Sequence, residues 1–136
     1  LLLFSLIYLP AISQDSTEFI HPIEIEMTKC LESDSNYSTQ AMLECTYKST
    51  TSWQQELIKN HNELMSQLDN EKKDYLKKAQ QDWIEYKESE ILLIKELYLT
   101  LDGTMYIIMA ASEKLEIVKS RAIRLKEHLD ILNLEN

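Results

Sequence analysis

Cys30 and Cys45 are the only cysteines of the chain, and a thiol pair is the plainest covalent chemistry its residue types offer. In an exported protein an even cysteine count reads as a disulfide. Closing a loop of about fifteen residues is then worth about 3 kcal/mol in the chain-entropy model. In an intracellular protein the same residues would be two unpaired thiols. The histidines, His21, His61 and His128, are far apart and form no HExxH. Glu18 and His21 make one Glu-x-x-His, whereas a di-iron carboxylate bundle needs two such pairs and further glutamates on facing helices. His61 falls on an apolar stripe and reads as a half-buried packing residue. One glycine in 136 residues excludes Gly-rich phosphate loops and the nucleophile elbow in their usual forms. Asp-rich calcium-loop spacing is absent. No catalytic constellation emerges, so the chain does not read as an enzyme, and neither cofactor nor metal is expected. Asn36, Tyr37 and Ser38 match a glycosylation sequon, a weak signal. Trp53, Trp83 and Tyr86 recur at helical spacing, which marks core residues more often than ligand stackers.

The elements that must carry these residues are helices. One Gly and two Pro leave almost no turn vocabulary. Pro22 opens a short helix through about Glu32. Residues 33–39 (SDSNYST) form a loop, with Ser38 or Thr39 capping the helix after it. Three long helices are then expected over 38–68, 69–101 and 103–133. Asp69 caps the second, Asp102 and Gly103 make the last turn, and Thr104 caps the third. Ser52 and Gln55 form a possible capping box inside the first, but continuity is the preferred reading. Its stripe is Met42, Cys45, Trp53, Leu57, Leu64 and Leu68. The second stripe is Leu76, Ala79, Trp83, Tyr86, Ile94 and Leu97. The third runs from Ile108 through Ala111, Leu115, Val118, Ala122, Leu125 and Leu129 to Leu132, a 3-4 alternation like that of a coiled coil. Three amphipathic helices of matched length joined by tight turns predict an all-α fold: an antiparallel bundle with a short, disulfide-tethered N-terminal helix. If the last turn centres between Asp102 and Gly103, Ile91 faces Lys114 and Trp83 faces Ala122. Across the Asp69 turn Trp53 is level with Trp83, giving one core layer of Trp53, Trp83 and Ala122. Residues 91–101 (ILLIKELYLTL) are apolar nearly all round, more than a three-helix bundle requires. Their extra face is expected to pack under the N-terminal arm through Phe19, Ile20 and Ile23, with a dimer contact as the competing explanation.

The first thirteen residues are an apolar run, then Pro10, then Ala11 and Ser13 at the −3 and −1 positions of a cleavage site. This reads as the remnant of a secretory signal peptide, too short to span a bilayer. It leaves 14–136 as a single helical domain in a secreted or periplasmic protein without membrane attachment. The net charge of −9 is uneven. Residues 15–45 hold seven acids (Asp15, Glu18, Glu24, Glu26, Glu32, Asp34 and Glu44) against Lys29 alone, and the remainder is nearly balanced. Such a field repels nucleic acid and anionic lipid and attracts cationic partners, although it also suits a merely solvated face.

Two stretches carry a family resemblance. Residues 79–88 read AQQDWIEYKE, and upstream lies a TKCL…AMLEC…WQQEL run. Together they resemble the LprI-type lysozyme-inhibitor-like domain, a family of small secreted bacterial helical proteins, over about residues 30–125. The matching positions are Cys30, Cys45, Trp53, Glu56, Leu57, Ala79, Gln80, Trp83, Tyr86, Gly103, Arg121 and Ala122. Lys87 and Glu88 stand where the family usually shows Arg-Asp, which keeps charge but loses the planar fork of Arg. Gln54, Ile58 and His61 replace the more usual Asp, Asn and Tyr. Many members have a second cysteine pair, whose positions correspond to Ile91 and Lys114 here. The resemblance implies an exported protein-binding domain that inhibits lysozyme, a basic enzyme whose cleft is walled by carboxylates. A periplasmic structural or interaction module without inhibitory activity is the alternative. For the inhibitor, the acidic third would steer a cationic lysozyme. The 33–39 loop, with Asn36, Tyr37 and Ser38, would supply the contact surface.

Overall fold

The computed structural model describes residues 19–33 and 38–134. The expected signal remnant, Asp15, Glu18, Asp34, Asn36 and Tyr37 lie outside them. Within the described residues the fold is all-helical: α1 (Pro22–Glu32), α2 (Thr39–Gln67), α3 (Asn70–Tyr98) and α4 (Thr104–Leu134). Local chemistry explains the boundaries. Pro22 occupies the first turn of α1, and His21 accepts the Ile23 N–H through Nδ1. Ser38 accepts from Ala41 N–H at the start of α2, and Asp69 from Lys72 N–H at the start of α3, so each hydroxyl or carboxylate satisfies an otherwise orphan donor. Gly103 takes φ +127°, a region closed to most side chains. Its carbonyl accepts from Tyr106 N–H, and Thr104 is already the first helical residue rather than a cap. α2 is continuous through Ser52. The hydroxyls of Thr46, Thr50, Thr51 and Ser52 donate to carbonyls four residues back, which spends their hydrogen bonds inside the helix.

α2 and α4 form the central pair. The Asn60 side-chain amide donates to the Ala122 carbonyl at 3.1 Å, and the Trp53 ring meets Lys119. Residue numbers rise together in these pairs, so the two helices run parallel, as they must when a third antiparallel helix joins them. The 62-residue offset of the Asn60–Ala122 bond puts Ser49 level with Ala111 and Trp53 level with Leu115. Cys45, Thr46 and Ser49 on α2, and Ala110 and Ala111 on α4, are all buried. Small residues on both helices permit their close approach at this end. Larger side chains then fill the core: Trp53, Leu57 and Leu64 with Leu115, Val118, Ala122, Leu125 and Leu129.

α1 runs antiparallel to α2, with Cys30 bonded to Cys45 (S–S 2.00 Å, Cα–Cα 5.8 Å) and Glu24 reaching Trp53. Ile23 and Met27 rest against the main core. The N-terminal arm therefore covers the α2–α4 seam and not residues 91–101. Phe19 and Ile20 are exposed, as are Leu92, Leu93, Leu97, Leu99 and Leu101. The expected contact fails because the disulfide and Glu24 commit α1 to the opposite side of the bundle. α3 packs chiefly on α4 and buries only Leu76 and Ile94. Of its expected stripe, Ala79, Tyr86 and Leu97 are exposed and Trp83 is partly buried, at the margin of the core rather than within a layer with Trp53 and Ala122. A helix resting mainly on one neighbour needs only a narrow buried edge, and the remainder of its apolar face stays open.

Candidate functional site

Two clusters gather the residues singled out in the sequence. The first is where α1 is strapped down. Trp53, 1% exposed, directs Nε1–H to Glu24 Oε1 at 3.1 Å, and Glu24 Oε2 pairs with Lys119 Nζ at 3.2 Å. One carboxylate thus joins α1, α2 and α4. Its position in the first turn of α1 also suits the helix dipole. The Lys119 ammonium lies 5.9 Å from the Trp53 ring centre, and the His21 ring packs on the same indole at 4.5 Å. Beside this contact a groove of about 410 Å³ is lined by Phe19, His21, Trp53, Glu56, Glu127 and Asp130, among others. It has an aromatic wall and a largely carboxylate rim, of which Glu56, Glu127 and Asp130 form ion pairs with Lys59, Arg124 and Lys126.

The second cluster is on α3 and α4. Arg121 Nε and Nη2 both donate to Gln80 Oε1, at 3.1 and 3.0 Å. The Arg121 guanidinium lies 5.9 Å from the Trp83 ring centre and Lys87 Nζ lies 5.3 Å from it, so two cations lie over the indole. Among the described residues Arg121 forms no ion pair with a carboxylate, and partial burial pushes its pKa down. Tyr86, Trp83, Ile117, Arg121 and Arg124 line an open groove of about 410 Å³, which Glu113, Glu116 and Ser120 complete. The Gln80–Arg121 bond sets the α3–α4 register, within about one turn of that expected from the Asp102–Gly103 turn.

Of the anticipated residues, Gln80, Trp83, Lys87 and Arg121 thus converge, with Tyr86 on the same groove. Trp53 and Glu56 converge in the α1 cluster, Cys30 and Cys45 are bonded, and Glu88 is an exposed side chain apart from both clusters. Ser38 serves as the α2 cap. Sequence reasoning missed Glu24, His21, Lys119 and Asn60. Asn60 had a signal: it lies three residues after Leu57 and four before Leu64, so a polar group falls on the buried stripe. Glu24 looked like one more surface acid because nothing local announces a partner 29 residues away. The acidic third is also less free than its composition implies, since Glu24 pairs with Lys119 and Glu26 with Lys29. Glu32 and Glu44 are exposed, Glu44 accepting from Gln40. Among the described residues no three His, Cys, Asp or Glu side chains gather as metal ligands, and no helix is long and apolar enough to cross a membrane.

Fold and clusters together define a small all-α bundle braced by a disulfide, with side chains arranged for contact. The sequence model of the family described as lysozyme inhibitor LprI matches residues 30–125. The chain belongs to that family. No curated protein matches it. Among solved structures it is similar to an uncharacterized protein from Burkholderia thailandensis, with a TM-score of 0.78 and 26% sequence identity. The match covers 82% of this chain and 55% of that one, so this chain spans little more than half the length of its structural relative. The disulfide and the family fit a protein that works outside the cytoplasm.

Proposed function

We propose that this chain is a secreted or periplasmic binding protein that inhibits a cationic lysozyme through its acidic N-terminal region. The observation carrying this reading is family membership across residues 30–125. The exposed Glu32 and Glu44 and the carboxylate rim beside His21 and Trp53 support it, because they place acids on the α1 side, those of the rim held only in solvent-exposed ion pairs that compensate them weakly. Such a surface speeds encounter with a basic enzyme more than it tightens the complex. The 33–39 loop, tethered by the Cys30–Cys45 bond, is the proposed contact segment, with Asn36, Tyr37 and Ser38 as its contact residues. Muramidase activity on bacterial cell walls, measured with increasing purified protein at low and moderate salt, tests the proposal. Inhibition that weakens with salt is expected, since exposed charges are screened over about 8–10 Å. No inhibition at a tenfold molar excess in low salt would remove the lysozyme reading. Inhibition that survives Tyr37→Ala and reduction of the bridge would keep the function and move its site.

A structural or interaction module without inhibitory activity is the second reading. One observation favours it: α3 leaves an apolar flank uncovered among the described residues, with Tyr86 53% and Leu97 56% exposed.

A further inference from the structure

We infer that the groove between α3 and α4 around Arg121 binds a sugar acid, a hexose ring carrying one carboxylate. The inference is independent of lysozyme inhibition, because the groove is lined by α3 and α4 alone and includes no residue of α1 or of the 33–39 loop. Its starting point is a guanidinium with an edge to spare. Arg121 spends Nε–H and one Nη2–H on Gln80 Oε1. Both Nη1 hydrogens and the second Nη2 hydrogen remain, and this end of a guanidinium fits a carboxylate bidentately. Arg121 lines the groove and Gln80 does not, so the spare end faces the open space rather than the bonded edge. The side chain is half-buried, and burial pushes its pKa down with no counter-charge to push it back. A partly desolvated cation gains more from an anion than a fully exposed one does.

The rest of the groove selects what carries the carboxylate. Arg124 is paired with Glu127 and Glu116 with Lys119, while Glu113 is exposed and forms no ion pair among the described residues. Glu113 and Glu116 repel a phosphate chain or any other polyanion, which limits the ligand to a single negative charge. The same two carboxylates accept hydrogen bonds from hydroxyl groups. Ser120, whose own proton goes to the Glu116 carbonyl, adds a further acceptor. Glu116 and Arg121 are five residues apart on α4, about 7.5 Å along the axis, which one ring with its substituents spans. On the α3 side Tyr86 is 53% exposed and offers an aromatic ring to the apolar face of a sugar. A cationic ligand would be opposed by Arg121 itself. A wholly apolar one would strip water from Arg121 and Glu116 without replacing its hydrogen bonds. The volume of about 410 Å³ is within the ~300–1,000 Å³ of small-molecule sites.

Titration of the isotope-labelled, disulfide-intact chain with glucuronic acid, followed by NMR, tests the proposal. The chain has two tryptophans, so the Trp83 indole N–H reports on the groove and that of Trp53 is an internal reference. A saturable shift at Trp83 with Trp53 unmoved is expected, near saturation at about 10 mM for a Kd of ~1 mM. Glucose and the methyl ester of glucuronic acid, which keep the ring and lose the charge, should bind about tenfold more weakly. Arg121→Lys, which keeps the charge and loses the fork, should weaken glucuronate by about tenfold. Tyr86→Ala removes an exposed ring and should weaken it severalfold with an unchanged helical circular dichroism signal, so a loss there is not a loss of fold. Absence of a Trp83 shift in the wild type would overturn the proposal, as would a shift confined to Trp53. Glucose binding as tightly as glucuronate would remove the carboxylate from the contact with Arg121 and overturn it too. N-acetylalanine binding as tightly as glucuronate would assign the groove to peptide carboxyl groups instead of sugars.

Discussion

α2 and α3 have the same length, 29 residues, and opposite fates in the fold. α2 has seven buried residues and contacts both α1 and α4, whereas α3 has two and leans mainly on α4. The difference does not come from hydrophobic content alone, because Tyr86, Leu93 and Leu97 are as apolar as many core residues. It comes from neighbours. α2 is enclosed by the disulfide, by Glu24 and by the parallel α4, while α3 is fixed to α4 through Leu76, Ile94 and the Gln80–Arg121–Trp83 contact. One half of the molecule is built to persist and the other half presents a surface.

Substitutions can break or sharpen that contrast. The largest effect is expected at Trp53. Trp53→Ala should cost roughly 3–5 kcal/mol by thermal or denaturant unfolding, as a fully buried large-to-small change. Trp83→Ala should cost well under half of that, because Trp83 is partly exposed. Equal losses would show that α3 is as tightly packed as α2. Replacing both Cys30 and Cys45 by Ser should cost about 3 kcal/mol and free α1, seen as faster amide exchange confined to residues 22–32. Glu24→Ala should cost about 1–3 kcal/mol by leaving the Trp53 N–H and the Lys119 ammonium without their partner; Glu24→Gln, which keeps an acceptor, should cost less. The smallest effect is at the α3 cap. The Lys72 side chain, followed by the Lys72 backbone N–H, holds the Asp69 pKa below its ordinary value. Its contribution is therefore present above the unfolded pKa of about 3.9 and lost as pH falls through the lower folded value. The gap in melting temperature between wild type and Asp69→Ala should accordingly narrow below pH ~4; a gap constant with pH would assign the cap no charge component.

Helix boundaries were legible because their signals are local: Pro22, Ser38, Asp69 and Gly103 each act within one turn. The cysteine pairing was legible from the even count and the signal-like start of the sequence. The position of α1 was not, because it depends on Glu24 meeting Trp53 and Lys119, contacts that span 29 and 95 positions. The α3 stripe was legible as apolar, yet periodicity records what can be covered and not what covers it. Ala79, Tyr86 and Leu97 therefore read like core and are surface. Gln80, Trp83, Lys87 and Arg121 were each singled out in the sequence, Trp83 as core and Lys87 as a departure from the family pattern, but Arg121 serving Gln80 and Trp83 together required the α3–α4 register.

The Cys30–Cys45 bond has a consequence for the lifetime of the folded chain. A protease that cuts any peptide bond between the two cysteines creates new termini but releases nothing, since the bond still joins α1 to α2. After such a cut, freeing α1 takes a second covalent event of unlike chemistry, the reduction of the bond. A nicked molecule therefore migrates as an intact chain until thiol is added, and the segment between the cysteines can be sacrificed without loss of the core.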